Sequence, residues 1–387
     1  MATENPIVNP AVLISPVEGG YVAYDPASDN LHQLNPTAAL IVELCDGSRS
    51  GGDIGRLLAP ILPEGQSDEV ERWVGDALRS GLLVTGDAAQ GQHNFTPAEL
   101  YALARRLKEH GKPQTAYLCL KRVAELQPDH WDAWYDLGDA ALTLGKRAEG
   151  REAYQKYFEH DPDDAEIEHL LIALKDDTPP PRASDRTIQC IYKDFADHYD
   201  TLMRDDLGYQ GPERIQDAIK GAIGDARGLD ILDVGCGSGL SALGLKPFAA
   251  RLTGIDLSPE MLALANARGL YDRLEVCEIT EWLERSDEHF DIVAAIDCLI
   301  YFGDLKRIIG AAAKRLNPGG VVAISMERGE RYPFSLTDTG RYQHHPDHVR
   351  DAAAEANLTV ARIDEAFLRK EYGVPVTGLY AVLKRSG

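Results

Sequence analysis

The densest chemistry in the chain lies around one glycine-rich turn. Leu229-Asp230-Ile231-Leu232-Asp233-Val234 reads as a short buried strand, followed at once by Gly235-Cys236-Gly237-Ser238-Gly239 and a helix beginning near Leu240. Glycines at such a turn let the backbone approach a ligand closely, and a helix N-terminus offers unpaired N–H groups. The next apolar run, Arg251–Ile255, ends in Asp256, 21 residues beyond Gly235. A carboxylate at that point accepts both hydroxyls of a ribose. These residues together point to a nucleoside ligand.

Two nucleosides compete. The dinucleotide fingerprint G-x-G-x-x-G fails when counted from Gly235, because residue 240 is leucine, but its looser alanine-ended form is met by Gly237-Ser238-Gly239-Leu240-Ser241-Ala242. Against a dinucleotide stands Asp233, two residues before the loop, where its charge opposes a pyrophosphate. The same charge suits the ammonium of a methionine moiety, so its sign favours S-adenosylmethionine. The elements that must hold this loop are legible around it. From residue 183 onward, apolar runs alternate with helical stretches, the pattern of a parallel sheet with crossover helices.

That segment resembles the class I adenosylmethionine-dependent methyltransferases over roughly residues 190–387. The resemblance rests on Ile231–Gly239, on Gly254-Ile255-Asp256-Leu257-Ser258-Pro259-Glu260-Met261-Leu262, on the strand Phe290–Val293 and on Leu316-Asn317-Pro318-Gly319-Gly320 before Val321–Ile324. The lead-in Phe195-Ala196-Asp197-His198-Tyr199-Asp200 with Leu207-Gly208-Tyr209 is similar to a subgroup often joined to tetratricopeptide repeats. Phe367-Leu368-Arg369 and Val376–Tyr380 resemble its two final strands. It implies an α/β, Rossmann-like seven-stranded sheet with an antiparallel last hairpin. It also implies that Asp233 and the backbone of Gly235, Cys236, Gly237 and Gly239 hold the methionine portion. Asp256 would take the ribose, Leu257 and Met261 the adenine face, Glu278 the adenine amino group and Ile279 an adenine nitrogen through its N–H. Tyr199 would cover the cofactor or pack in the lead-in helix. Cys277-Glu278 stands where the family usually has Gly-Asp.

Methyl transfer from a sulfonium needs alignment and a dry site, and a base only where the acceptor must lose a proton. Asp297, at the end of the fourth strand, lies where the methyl group emerges, or else caps a helix over Tyr301–Arg315. The sequence Asp297-Cys298-Leu299-Ile300 lacks the amide and prolines of an exocyclic-amine methylase. A loop over Glu327–Pro346 supplies Arg328, Arg331, Tyr332, Arg341, Tyr342, His344 and His345 on the acceptor side, with His344 or His345 as a candidate base.

Two further segments precede this one, with linkers expected at 86–92 and around the Pro179-Pro180-Pro181 run, giving segments 1–88, 93–176 and 183–387. In the middle one Tyr101 and Tyr135, Gly111 and Gly145, and Pro128 and Pro162 are each 34 residues apart. This helix–turn–helix period resembles tetratricopeptide repeats: two units, a capping helix at about Asp164–Lys175, and small residues at Ala104 and Gly138 where helices approach closely. The first segment reads as strand (Tyr21–Tyr24), turn, strand (Leu31–Leu34), then helices from Pro36, over Gly52–Leu62 and over Asp68–Ser80. That is a small winged α+β domain. Its Leu34-Asn35-Pro36-Thr37-Ala38-Ala39-Leu40-Ile41 run resembles the PqqD-like peptide chaperones. The resemblance implies capture of a leader peptide as an added strand on Asn30–Leu34, beside the helix Asp68–Ser80.

Composition bounds the partners. Lys and Arg number 40 against 62 Asp and Glu, a formal charge of −22 over 387 residues. Such a chain repels phosphate backbones and anionic lipid, so neither nucleic acid nor a membrane is an expected partner. The N-terminus has no basic stretch leading into an apolar run, and the six scattered cysteines form no C-x-x-C pair. The expectation is a soluble cytoplasmic protein with structural thiols and no metal. The leading function is methylation of a peptide recruited by its leader. The alternatives are a small-metabolite methyltransferase with a vestigial first domain, a non-catalytic peptide-binding scaffold and, remotely, a dehydrogenase.

Overall fold

A computed structural model describes residues 5–17, 20–60, 62, 67–85, 95–175, 177–196, 199–371 and 374–385. The expected linker at 86–92, and Asp197 and His198 of the lead-in, lie outside them. The chain forms two compact units, Met1–His160 and Asp161–Gly387.

The first unit opens with β1 (Pro6–Val8), β2 (Leu13–Val17), β3 (Gly20–Asp25) and β4 (Asn30–Leu34), continues through α1 (Pro36–Leu44), α2 (Gly51–Leu58) and α3 (Ser67–Ser80), and returns in β5 (Leu83–Thr85) to pair with β1. Asn35 caps α1 by accepting from the Ala38 N–H, with Pro36 preset at the first helical position. The antiparallel order β2-β3-β4 leaves β4 at an edge. Four helices follow: α4 (Pro97–Glu109), α5 (Pro113–Leu126), α6 (Trp131–Thr143) and α7 (Arg147–His160). The expected close approach at Gly138 is present, since a Cβ there would meet the Tyr154 ring at 2.4 Å. One finding was not expected from the sequence. Leu13, Val22 and the fully buried Tyr24 share a core with Tyr117, Leu120 and Val123, so the small sheet and the repeat helices are one hydrophobic body.

The second unit begins with α8 (Ala165–Ala173), the helix expected to cap the repeats, which packs on α9 (Asp185–Phe195). The proline run between them is not a free spacer. Pro180 accepts a bond from Tyr342 Oη (2.8 Å), and Pro181 accepts from the N–H groups of Gly303 and Asp304 (2.8 and 2.9 Å). Proline lacks a donor but keeps its carbonyl, and these carbonyls tie the segment to its own unit.

A short α10 (Tyr199–Thr201) runs into a widened turn over Leu202–Asp206, and α11 (Gly211–Ile223) leads to the sheet. Its elements are β6 (Leu229–Val234), α12 (Ala242–Leu245), β7 (Ala249–Asp256), α13 (Pro259–Arg268), β8 (Arg273–Val276), α14 (Ile279–Arg285), β9 (Phe290–Ile296), α15 (Lys306–Lys314), β10 (Leu316–Arg328), β11 (Phe334–Leu336), β12 (Tyr342–His344), α16 (Pro346–Glu355), β13 (Leu358–Glu371) and β14 (Val374–Arg385). The order β8-β7-β6-β9-β10-β14-β13 gives the expected seven strands, with β14 antiparallel to both neighbours. The sheet has nine strands because the expected acceptor-side loop folds as the β11–β12 hairpin, pairing at Glu327 and Arg328 of β10. Apolar residues fill both faces of the sheet, which explains the near-continuous hydrophobic runs of its central strands.

Candidate functional site

At the C-terminal ends of β6, β7 and β9 opens a cleft of about 750 Å³. Open parallel sheets bind ligands at this edge, where the strand order reverses. Gly235 turns out of β6 at φ +67°, and a Cβ there would lie 2.5 Å from that of Cys298. Gly237, at φ +53°, would meet only the Met261 methyl, at 3.5 Å. The first glycine is therefore demanded by packing and the second by space for a ligand. The helix expected after the loop is the single turn α12, so little macrodipole is available there for a pyrophosphate.

Asp256 ends β7 inside the cleft, 9% exposed, and its carboxylate is clipped to the loops on either side. Oδ2 accepts from the Gly237 N–H at 2.8 Å and Oδ1 from Ser258 N–H at 2.9 Å. Burial raises its pKa, and the backbone donors oppose that. Asp233 is fully buried and does not line the cleft. Its Oδ2 accepts from Ser241 and Tyr271, each at 2.6 Å, while its buried Oδ1 has no partner among the described residues. Burial pushes this carboxyl up to about 6. Gly239 packs beneath the loop instead of lining it, since a Cβ there would strike Tyr271 at 2.9 Å.

The other expected cofactor residues come together. Tyr199, Gly235, Cys236, Gly237, Leu257, Met261, Glu278 and Ile279 all line the cleft. Glu278 is already engaged: Oε2 caps α14 through the Glu281 N–H (2.7 Å), and Oε1 takes Arg182 Nη1 (3.0 Å). Arg182 lies 5.2 Å over the Phe302 ring, and both line the cleft. Neither was expected. Arg182 follows the proline run and is brought in by a bridge to Phe302 and the backbone bonds on either side of it, a pairing across 120 residues that no local pattern announces. Tyr192, Tyr209 and Tyr301 are further lining residues found only in three dimensions.

Asp297 lies at the end of β9 in the left-handed region, φ +56°, a conformation that costs a non-glycine residue energy and is concentrated at functional sites. Its carboxylate caps no helix. The helix expected from Tyr301 begins at Lys306, and Arg369 Nη1 of β13 takes both Asp297 oxygens at 3.1 Å. Burial raises the Asp297 pKa, with the Arg369 charge pulling it back.

The two histidines do not join this site. His344 is fully buried in β12, its Nδ1 3.3 Å from that of His348, and burial holds it neutral with a pKa near about 3. His345 caps α16 by accepting from the Asp347 N–H at 3.2 Å. Strand alternation turns one inward to the core and leaves the other as a cap, so neither serves as the base. Of the acceptor-side candidates Arg341 lines a cavity that adjoins the cleft, and none of the other six lines either space. Among the described residues no cluster fits a metal ion, and no helix is long and apolar enough to cross a membrane.

Comparison with known proteins matches three stretches in succession: residues 20–83 to coenzyme PQQ synthesis protein D, 101–165 to tetratricopeptide repeats and 232–324 to a methyltransferase domain. A ubiquinone biosynthesis O-methyltransferase of Xanthomonas oryzae pv. oryzae (strain PXO99A) is 29% identical over 153 residues, 36% of this chain and 64% of that one. One from Xylella fastidiosa (strain 9a5c) is 32% identical over 146 residues, covering 34% and 59%. The chain thus spans under two thirds of the length of these relatives. Among solved structures, the 1,6-didemethyltoxoflavin-N1-methyltransferase of Burkholderia thailandensis is 19% identical, covers 54% of this chain and 94% of its own, and superposes with a TM-score of 0.42. The three successive matches give the order of the chain: a PqqD-like domain, then tetratricopeptide repeats, then an S-adenosylmethionine-dependent methyltransferase domain, the last carrying the seven-strand order, the glycine loop and the carboxylate that closes β7.

Proposed function

We propose that the chain binds S-adenosylmethionine in the cleft and transfers its methyl group to an acceptor held beside Asp297. The observation that carries this reading is the Asp256 carboxylate, held at the cleft by two backbone N–H groups and positioned for ribose hydroxyls. Asp233 does not line the cleft, so it would act on the ammonium of the methionine portion through its charge or a bridging water and not by direct contact. Gly235, Cys236 and Gly237 bring backbone to the methionine portion, and Leu257, Met261 and Ile279 give an apolar wall for adenine. Arg182 and Phe302 close the cleft against water.

When bound, the sulfonium supplies an activated methyl group. The work of the chain is to align the acceptor and, where that acceptor carries a proton, to take it on a carboxylate oxygen of Asp297. A carboxylate raised by burial is a better base than an exposed one, and Arg369 fixes its orientation.

Recruitment of a peptide substrate is the fuller form of this proposal. β4 offers an edge for an added strand, and Leu31 on it and Leu40 on α1 are exposed, at 43% and 38%. A second reading, a small-molecule acceptor, is favoured by the names of the two curated relatives above, both O-methyltransferases of ubiquinone biosynthesis.

Calorimetric titration of the full chain with S-adenosylmethionine, S-adenosylhomocysteine and NAD tests the cofactor. The expected result is binding of the two sulfur nucleosides and not of NAD, lost in Asp256→Ala. Binding of NAD alone, or unchanged affinity in that variant, overturns the assignment.

A further inference from the structure

A second cavity, of about 440 Å³, adjoins the cleft, and Tyr192, Tyr199, Asp297 and Tyr301 line both. Resting on the methyltransferase reading, we infer that this chamber is the acceptor subsite and that it takes a monocarboxylate on a largely apolar body, with Arg341 as the group that pairs the carboxylate.

The free donors decide the class of ligand. The charged side chains lining the chamber are Asp297, Arg341 and Arg369, and the two guanidiniums are also bonded to Glu371 and Glu327, so the group that selects a ligand is the one with donors left over and not the net charge of the wall. Arg369 is 2% exposed and both of its terminal nitrogens are already engaged: Nη1 is shared between the oxygens of Asp297, and Nη2 is bonded to the buried Glu327. Arg341 differs. Its Nη1 is bonded to Glu371, while among the described residues Nε and Nη2 have no protein acceptor, and 30% of the side chain stays accessible. A guanidinium with two donor nitrogens, Nε and Nη2, left over in a partly desolvated chamber is a carboxylate fork.

Its backbone is held in place for that task. Arg341 N–H donates to Thr337 Oγ1, its carbonyl accepts from the Thr337 N–H, and the Gly340 carbonyl beside it is bonded to His169. A fixed donor loses little entropy on binding. Leu202, Met203 and Leu207 give the rest of the wall an apolar surface, suited to a hydrocarbon or aromatic body.

Other ligands fit less well. An ammonium would be drawn to the tyrosines, but Arg369 already neutralises Asp297 and Arg341 would repel the cation. A neutral acceptor would displace water from Arg341 and leave its donors unpaired, at a cost in affinity. The carboxylate can come from a free acid or from an acidic side chain of a peptide.

The test titrates the full chain, saturated with S-adenosylhomocysteine, with 3-phenylpropanoate and its amide in one arm. In the other arm the probes are a blocked Phe-Glu-Phe tripeptide and its Phe-Gln-Phe counterpart. In at least one arm the acid is expected to bind about tenfold or more tightly than its amide, the arm naming the source. Arg341→Gln removes that preference, and Arg341→Lys keeps part of it. Equal binding of acid and amide in both arms, no binding of either acid, or a preference that survives in Arg341→Gln overturns the inference. S-adenosylhomocysteine is titrated into every variant. If it fails to bind the wild type, the methyltransferase reading falls, and the same acid–amide comparison on the ligand-free chain still decides the chamber. If it binds and the acids do not, only the chamber assignment falls.

Discussion

Arg369 Nη1 lies 3.1 Å from each carboxylate oxygen of Asp297, and the other arm of the same guanidinium is bonded to Glu327. All three side chains are almost wholly buried, at 2%, 7% and 1% exposure. One cation therefore serves two buried carboxylates, and removing it strands both. Arg369→Met should cost about 3–5 kcal/mol of stability at pH 8, because breaking a buried pair leaves uncompensated charge. Burial raises the Asp297 pKa and the Arg369 charge opposes that rise, so without Arg369 the loss should shrink as pH falls and Asp297 protonates. Urea unfolding at pH 5.5 and pH 8 checks this. An equal loss at both would mean that packing, not charge, is what the arginine supplies.

Asp233 offers the opposite case, a buried carboxylate without a cation. Its folded pKa of about 6 lies above the ordinary carboxylate value, so its protonated form is favoured in the fold. The sign follows directly: its contribution to stability is fully present below about pH 4 and is lost as pH rises through about 6. Asp233→Asn should thus stabilise the ligand-free protein at pH 7.5, by up to about 2–3 kcal/mol. The asparagine carbonyl can still accept from Ser241 and Tyr271, and the replaced oxygen has no bond to lose. Affinity for S-adenosylmethionine should fall in the same variant. Melting curves and calorimetry on one preparation separate the two effects, and a less stable ligand-free variant would refute the sign.

The glycines of the loop should divide by what a methyl group would meet. Both Gly235 and Gly237 have left-handed φ, so alanine costs about 1–2 kcal/mol at either from backbone strain alone. At Gly235 the new Cβ also lies 2.5 Å from Cys298 Cβ, whereas at Gly237 the nearest atom is the flexible Met261 methyl. Gly235→Ala should therefore be the more destabilised by at least about 1 kcal/mol. Gly237→Ala should lose cofactor affinity while staying folded. Thermal unfolding and S-adenosylhomocysteine titration of the pair decide it.

What could be read from the chain before folding follows the range of the interactions. The loop and the acid at Asp256 are legible because strand, turn and carboxylate are set by neighbours within some 20 residues, and the same holds for the 34-residue period closing at Gly138 and Tyr154. Arg182 was not legible, since pairing with the distant segment around Phe302 brings it to the cleft. The histidines misled because period-2 alternation says that His344 and His345 face opposite ways without saying which way is the cavity. Arg341 stood among seven candidates of similar type. Its selection depends on the β11–β12 hairpin, which β12 joins to the sheet by pairing with β10.

His169 of α8 carries the last prediction, because it reaches that hairpin from another element. Its Nε2 is 2.8 Å from the Gly340 carbonyl, the side chain is 4% exposed, and burial lowers its pKa. The neutral ring with its proton on Nε2 donates to that carbonyl, one residue before Arg341. His169→Ala leaves a buried carbonyl unpaired and opens a void, which should cost about 2–3 kcal/mol. Affinity for S-adenosylhomocysteine should hardly change, since no cleft residue is touched, while binding of the carboxylate probe should weaken as the guanidinium loses its fixed base. A lowered folded pKa also means that His169 destabilises the wild type as pH falls below about 6.5, and that part of the acid sensitivity should vanish in the variant. Unfolding curves at pH 5.5 and 7.5, with the two titrations, read all three effects. A variant that loses both ligands alike would show that α8 supports the whole unit and not the acceptor side alone.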